Sequence, residues 1–114
     1  MNANMPLPIE IDVASVKQLL DSGASLLLVD VREQGEYDTA RIAGSTLIPM
    51  QQIPANLERL EPHRAGRIVV HCHHGGRSLR VTQWLRQQGF ANVQNLTGGI
   101  DAWSQQIDPS VPRY

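Results

Sequence analysis

Apolar positions along this chain follow two rhythms. Short, nearly continuous runs occur at Leu26–Val29, Thr46–Ile48 and Ile68–Cys72, Ile9-Glu10-Ile11 alternates, and Val93–Leu96 reads as the last strand. Runs of this length, rich in Val, Ile and Leu, predict strands, and continuous ones predict strands covered on both faces. Elsewhere the apolar residues recur at helical spacing. Val16, Leu19 and Leu20 follow Asp12, a good N-cap for a helix from Val13 to about Asp21. Val81, Trp84 and Leu85 lie in a second helical stretch, about Ser78 to Gln88, and Ile100 and Trp103 in a third.

Breakers set the limits. Ser22-Gly23 ends the first helix, and Gly89 caps the second, with Phe90 closing the capping contact. Gln34–Arg41 has room for one short helix. Pro49 stops the third strand, Pro54 suits the first turn of a helix over Ala55–Leu60, and Pro62 stops that helix. Pro6 and Pro8 predict an extended start. Thr97-Gly98-Gly99 is a tight turn, and Asp108–Tyr114, with Pro109 and Pro112, reads as a tail.

Strands that alternate with helices predict an α/β domain: a mostly parallel five-stranded sheet with helices on both faces and right-handed crossovers. With no repeat and no dividing linker, residues 1–114 read as one domain, its core at about 9–104 and a tail at 105–114. Ligands in such sheets bind beyond the carboxyl ends of strands. Two turns lie at such ends: Asp30-Val31-Arg32, and the one that Cys72 opens.

Composition narrows the function. A net charge of -1 and a pI near 6.4 leave no electrostatic footprint for nucleic acid or an anionic membrane surface. A domain of 114 residues buries enough surface to fold without a metal or disulfide. The lone cysteine excludes an internal disulfide and fits a reducing compartment. Met1–Pro8 has no basic n-region or apolar h-region, and no apolar run approaches the roughly 20 residues of a membrane span. The expectation is a cytoplasmic protein with no membrane or nucleic-acid partner. Oligomeric state is not legible.

The chemistry concentrates in Cys72-His73-His74-Gly75-Gly76-Arg77-Ser78. Gly75 and Gly76 permit a tight backbone whose N–H groups converge on one spot, and the following helix directs its positive end there. A thiol so placed ionises readily, and the thiolate is the reactive form. Arg77 adds a permanent positive charge suited to an oxyanion. His73 and His74 stand at the loop tip, facing either substrate or solvent, and can charge near neutral pH. His71, still in the strand, reads as a satisfied core histidine. Four consecutive ligand-type residues, His71 to His74, cannot easily converge on one ion, so no metal is expected. Asp30 and Arg32 read as a supporting pair near the loop, Glu33 and Glu36 as a solvated face, Trp84 and Trp103 as buried anchors.

Three segments together resemble a single-domain rhodanese, of the sulfurtransferase family. The first is Leu28-Val29-Asp30-Val31-Arg32-Glu33 with Glu36-Tyr37, then Ile42-Ala43-Gly44-Ser45 up to Ile48-Pro49. The second is Cys72–Ser78, and the third is Leu96-Thr97-Gly98-Gly99-Ile100-Asp101-Ala102-Trp103. Where many relatives carry Gly-His before the isoleucine of the first segment, this chain has Ala40-Arg41.

The resemblance implies a rhodanese-like three-layer fold and a ping-pong sulfur transfer through a Cys72 persulfide, with no cofactor. A sulfane donor such as thiosulfate would be bound by His73, His74, Gly75, Gly76, Arg77 and Ser78, with Arg77 on its sulfonate oxygens. Cyanide, a small thiol or a protein thiolate would accept the sulfur. Four residues lie between Cys72 and Arg77, the length associated with sulfur transfer, whereas phosphatase relatives have one more. Because the fold also hosts those phosphatases and inactive modules, two alternatives stand beside the transferase. One is a non-catalytic docking or regulatory module, and the other a cysteine-dependent phosphatase or arsenate reductase.

Overall fold

The computed structural model describes residues 7–114. The extended start expected of Pro6 therefore lies outside the described residues. Five parallel strands form one sheet in the order β1-β5-β4-β2-β3: β1 (Glu10–Ile11), β2 (Leu26–Asp30), β3 (Thr46–Leu47), β4 (Arg67–His71) and β5 (Val93–Leu96). The helices are α1 (Val13–Asp21), α2 (Gln34–Thr39), α3 (Leu57–Leu60), α4 (Gly76–Gln87) and α5 (Gly99–Gln106). This is the expected α/β architecture. β4 is central, pairing with β2 from Leu26↔Arg67 to Asp30↔His71 and with β5 from Ile68↔Val93 to Val70↔Asn95.

The two-residue period of a strand sorts the core into two halves. Val29, Ile68, Val70 and Cys72 point to one face, where Val81 and Leu85 of α4 cover them together with Ile53, Leu60 and Phe90. Leu28, Val69 and Leu96 point to the other, under Val13 and Val16 of α1 and Ile100 and Trp103 of α5. Cys72 thus follows β4 directly, its side chain on the α4 face. Asp12 caps α1 through its Oδ1, which accepts the Ser15 N–H at 2.7 Å.

Four expectations need correction. The helix after the cysteine loop begins at Gly76, not Ser78, because Gly75 at φ +119° turns the chain directly into the first helical turn. The stretch expected as one helix over Ala55–Leu60 is a 3-10 turn (Pro54–Asn56) followed by the single α-turn of α3. Pro62 does not stop the chain's coiling but sits in the first turn of a further 3-10 segment, Glu61–His63, where its missing N–H is harmless. The segment after α5 is no free tail either. The Ser104 hydroxyl donates to the Val111 carbonyl, and Val111 is buried on the α1/α5 face.

Candidate active site

At the end of β4 the chain turns so that backbone donors surround one sulfur. The Gly75 N–H donates to Cys72 Sγ at 3.1 Å and the Ser78 N–H at 3.4 Å, with the Ser78 hydroxyl also 3.4 Å away. Gly75 needs its positive φ to turn its N–H inward, a conformation that costs any residue with a Cβ. Cys72 is only 2% exposed. Burial pushes its thiol pKa up, but the Ser78 hydroxyl and the N–H groups of Ser78, Gly75 and Arg77 outweigh burial, so the thiol lies below its ordinary value. The start of α4 adds its positive dipole end.

A buried polar frame holds this turn. Asn95, on β5, donates through Nδ2 to the Gly75 carbonyl at 3.2 Å and to the Glu10 carboxylate at 3.0 and 3.1 Å, and its Oδ1 accepts the Ser78 hydroxyl. From the other side the first turn of α5 presses on the loop backbone. Ile100 N–H donates to the Cys72 carbonyl at 2.9 Å and Asp101 N–H to the His73 carbonyl at 3.1 Å. Only glycine fits at position 99, where a Cβ would lie 2.5 Å from both of those oxygens. The double glycine therefore does more than turn the chain: it lets one helix start dock onto the cysteine loop.

Around the rim, Arg77 forks onto Glu36, with Nη1 and Nη2 donating at 2.7 and 2.9 Å. Arg77 holds the Glu36 carboxyl down at about 2, with further help from the Tyr114 hydroxyl. Glu36 is thus not part of a freely solvated face, as its sequence context suggested, because the fold brings Arg77 and Tyr114 onto its carboxylate. Asp30 and Arg32 form an ion pair at 2.6 Å, both fully buried. Arg32 donates to Asp30 through Nε and Nη2, to the Ala40 carbonyl through Nη2 and to the Glu36 carbonyl through Nη1. Ala40 fills a buried place there, and Arg41 turns outward over the Tyr37 ring.

His71 is buried beside this pair, but it is not a satisfied histidine. Neither ring nitrogen has a protein hydrogen-bond partner among the described residues, and Asp30 Oδ2 stands 3.9 Å from Nε2. Burial depresses its pKa to about 4, so it is neutral near pH 7. His73 is half-buried and its ring stacks between those of His74 and Tyr114, each at 3.9 Å, while His74 is exposed. His73, His74 and Asp101 offer atoms within 4.8 Å of one another. Asp101 Oδ1 is paired with Arg113 at 3.0 Å.

The profile of the Rhodanese-like domain family matches residues 12–106. The chain belongs to the rhodanese-like family. It is 36% identical over 102 residues to a sulfurtransferase of Allochromatium vinosum, a match covering 90% of this chain and 94% of that one. It is 42% identical over 91 residues to the Rhodanese-like/PpiC domain-containing protein 12, chloroplastic, of Arabidopsis thaliana, covering 76% of this chain and 30% of the relative. Several curated relatives are longer, and the chain spans about a quarter to a third of their length. A crystal structure of a rhodanese-like domain protein from Staphylococcus aureus superposes with a TM-score of 0.77 at 30% identity, covering 84% of this chain and 91% of that one.

In this rhodanese domain, two of the loop residues singled out from sequence contact the sulfur directly. Gly75 and Ser78 touch it, Gly76 opens α4, and His73 and Arg77 stand at the two ends of the rim. Four neighbours carried no local signal of their involvement: Glu10, Glu36, Asn95 and Tyr114. Among the described residues, no helix is long and apolar enough to cross a membrane.

Proposed function

We propose that this rhodanese domain moves a sulfane sulfur from a small anionic donor, thiosulfate being the type case, to a thiophilic acceptor through a persulfide on Cys72. The observation that carries this reading is the ring of N–H donors around a buried sulfur whose thiol pKa is lowered. The Cys72 thiolate attacks the outer sulfur of thiosulfate. A new bond forms between Sγ and that sulfur, the sulfur–sulfur bond of the donor breaks, and its electron pair leaves with sulfite. The persulfide's terminal sulfur inherits the negative charge, and the backbone N–H groups and the α4 dipole that favoured the thiolate stabilise it. An attacking cyanide, thiolate or protein thiolate then takes the outer sulfur, and the electron pair returns to Sγ. No cofactor takes part in either step.

Arg77, His73 and His74 supply the donor's surroundings. Arg77 is the positive charge nearest the loop's end, and because Glu36 occupies Nη1 and Nη2, a sulfonate oxygen would use Nε or draw the fork off Glu36. Asp30 and Arg32 act at one remove, fixing the α2 segment that carries Glu36. A reducing compartment such as the cytoplasm suits a mechanism that needs its single thiol unoxidised. Steady-state production of thiocyanate from thiosulfate and cyanide tests the reading. Parallel double-reciprocal lines, abolished in Cys72→Ser, support it. The absence of turnover with any sulfane donor would favour the docking-module alternative.

A further inference from the structure

The segment that follows α5 returns across the molecule and ends at the cysteine loop. Val111 anchors it in the α1/α5 core, and Arg113 Nε pairs with Asp101 Oδ1 at 3.0 Å. These contacts deliver Tyr114 to the rim. Its ring lies on His73, the residue after the sulfur, at 3.9 Å and nearly parallel, with 8° between the planes. Its hydroxyl donates to Glu36 Oε2 at 2.7 Å, the carboxylate that holds Arg77, and accepts from Arg32 Nη1 at 2.8 Å. Tyr114 therefore spans the rim from the Cys72 end of the loop to its Arg77 end. One edge of the residue is fixed in this network, yet the residue as a whole is 42% exposed. It is held at the rim by a stack and two hydrogen bonds.

We propose that Tyr114 is a size-selecting residue of the Cys72 site. Small anionic donors and small acceptors pass beside its ring. A sulfur carried on a protein surface reaches Cys72 only after Tyr114 has swung off His73 and Glu36. The identity of these ligands rests on the sulfur-transfer reading, whereas the control of access rests on the rim geometry alone.

The test uses two maleimides that add to the single thiol by the same reaction but differ in bulk, N-ethylmaleimide and fluorescein-5-maleimide, and compares their rate ratio between variants. Their second-order rates are measured on the wild-type chain, Tyr114→Ala and Tyr114→Phe. The expected result is a rise of about fivefold or more in the bulky-to-small rate ratio for Tyr114→Ala. Tyr114→Phe, which keeps the stack and loses the hydroxyl bonds, should fall between. The thiol pKa, read from the pH dependence of the N-ethylmaleimide rate, should stay put, because the loop N–H groups are untouched. An unchanged ratio overturns the proposal. So does a raised ratio accompanied by return of the thiol pKa to its ordinary value, since that marks collapse of the loop and not an opened rim. Alkylation requires no sulfur transfer, so a size effect in a chain that forms no persulfide removes only the transfer reading. A persulfide without a size effect removes only this one.

Discussion

Gly99 offers a direct measure of how tightly the fold clamps the cysteine loop. Substituting it with alanine adds one methyl group. That Cβ would sit 2.5 Å from the carbonyl oxygens of Cys72 and His73 and 2.7 Å from the His73 carbonyl carbon, all of them backbone atoms that cannot rotate away. The φ of +60° adds a separate cost, since a non-glycine residue in the left-handed region is destabilised by about 1–2 kcal/mol. Forcing a methyl into a filled space typically costs a further ~1–3 kcal/mol, so Gly99→Ala should lose about 2–5 kcal/mol of stability. Gly44→Ala is the control, because Gly44 has a φ of +83° but nothing within 4 Å of its would-be Cβ, and it should lose only the conformational ~1–2 kcal/mol. Urea unfolding of both variants at neutral pH separates strain from contact. The surplus loss in Gly99→Ala should come with a higher Cys72 thiol pKa, because relief of the clash pushes the loop carbonyls, and with them the Gly75 N–H, off their positions. Equal destabilisation of the two variants would refute the reasoning, as would an unaltered thiol pKa in a strongly destabilised Gly99→Ala.

The other predictions concern charge and hydrogen bonding. His71, neutral when folded with a pKa of about 4 against an ordinary 6.5, binds fewer protons in the folded chain than in the unfolded one. Stability should therefore fall as pH drops from about 6.5 to 4, by up to roughly 3 kcal/mol from this residue, and His71→Gln should flatten that part of the urea-midpoint curve. Glu36, held at about 2 against an ordinary 4.5, works in a lower window: its contribution is complete above about pH 4.5 and is lost as pH falls through 2. Glu36→Gln should thus cost about 1 kcal/mol at pH 7 for a partly exposed bidentate pair, with the gap to wild type closing toward pH 2. In Ser78→Ala the thiol loses one of its donors, but that hydroxyl is shared with Asn95 Oδ1 and the Gly75 carbonyl. A shared bond worth about 1 kcal/mol predicts a rise of less than about one pH unit in the iodoacetamide reactivity profile, and a fall would contradict the assignment.

The strands and the cysteine loop were legible because they depend on short-range pattern. Ile68–Cys72 is apolar without a breaker, Gly75 permits the turn, and the helical spacing of Val81 and Leu85 names the face that covers them. The carboxylate that holds Arg77 was not legible, because Glu36 is 41 residues away in sequence and sits in a segment whose composition is that of any surface helix. Tyr114 was equally hidden. Two prolines and a polar composition mark the segment after α5 as irregular, but whether an irregular segment leaves or folds back depends on long-range partners, here Ser104, Asp101 and His73. The helix boundaries that moved, at Gly76 and Pro54, did so where one glycine or proline sets local geometry more sharply than apolar spacing does.

The central claim is that Cys72 carries the transferred sulfur, and intact mass spectrometry after incubation with thiosulfate addresses it most directly. The expected result is a gain of one sulfur atom, about 32 Da, that cyanide removes and Cys72→Ser lacks, as a covalent intermediate requires. A wild-type mass that stays unchanged with thiosulfate and with other sulfane donors would contradict it.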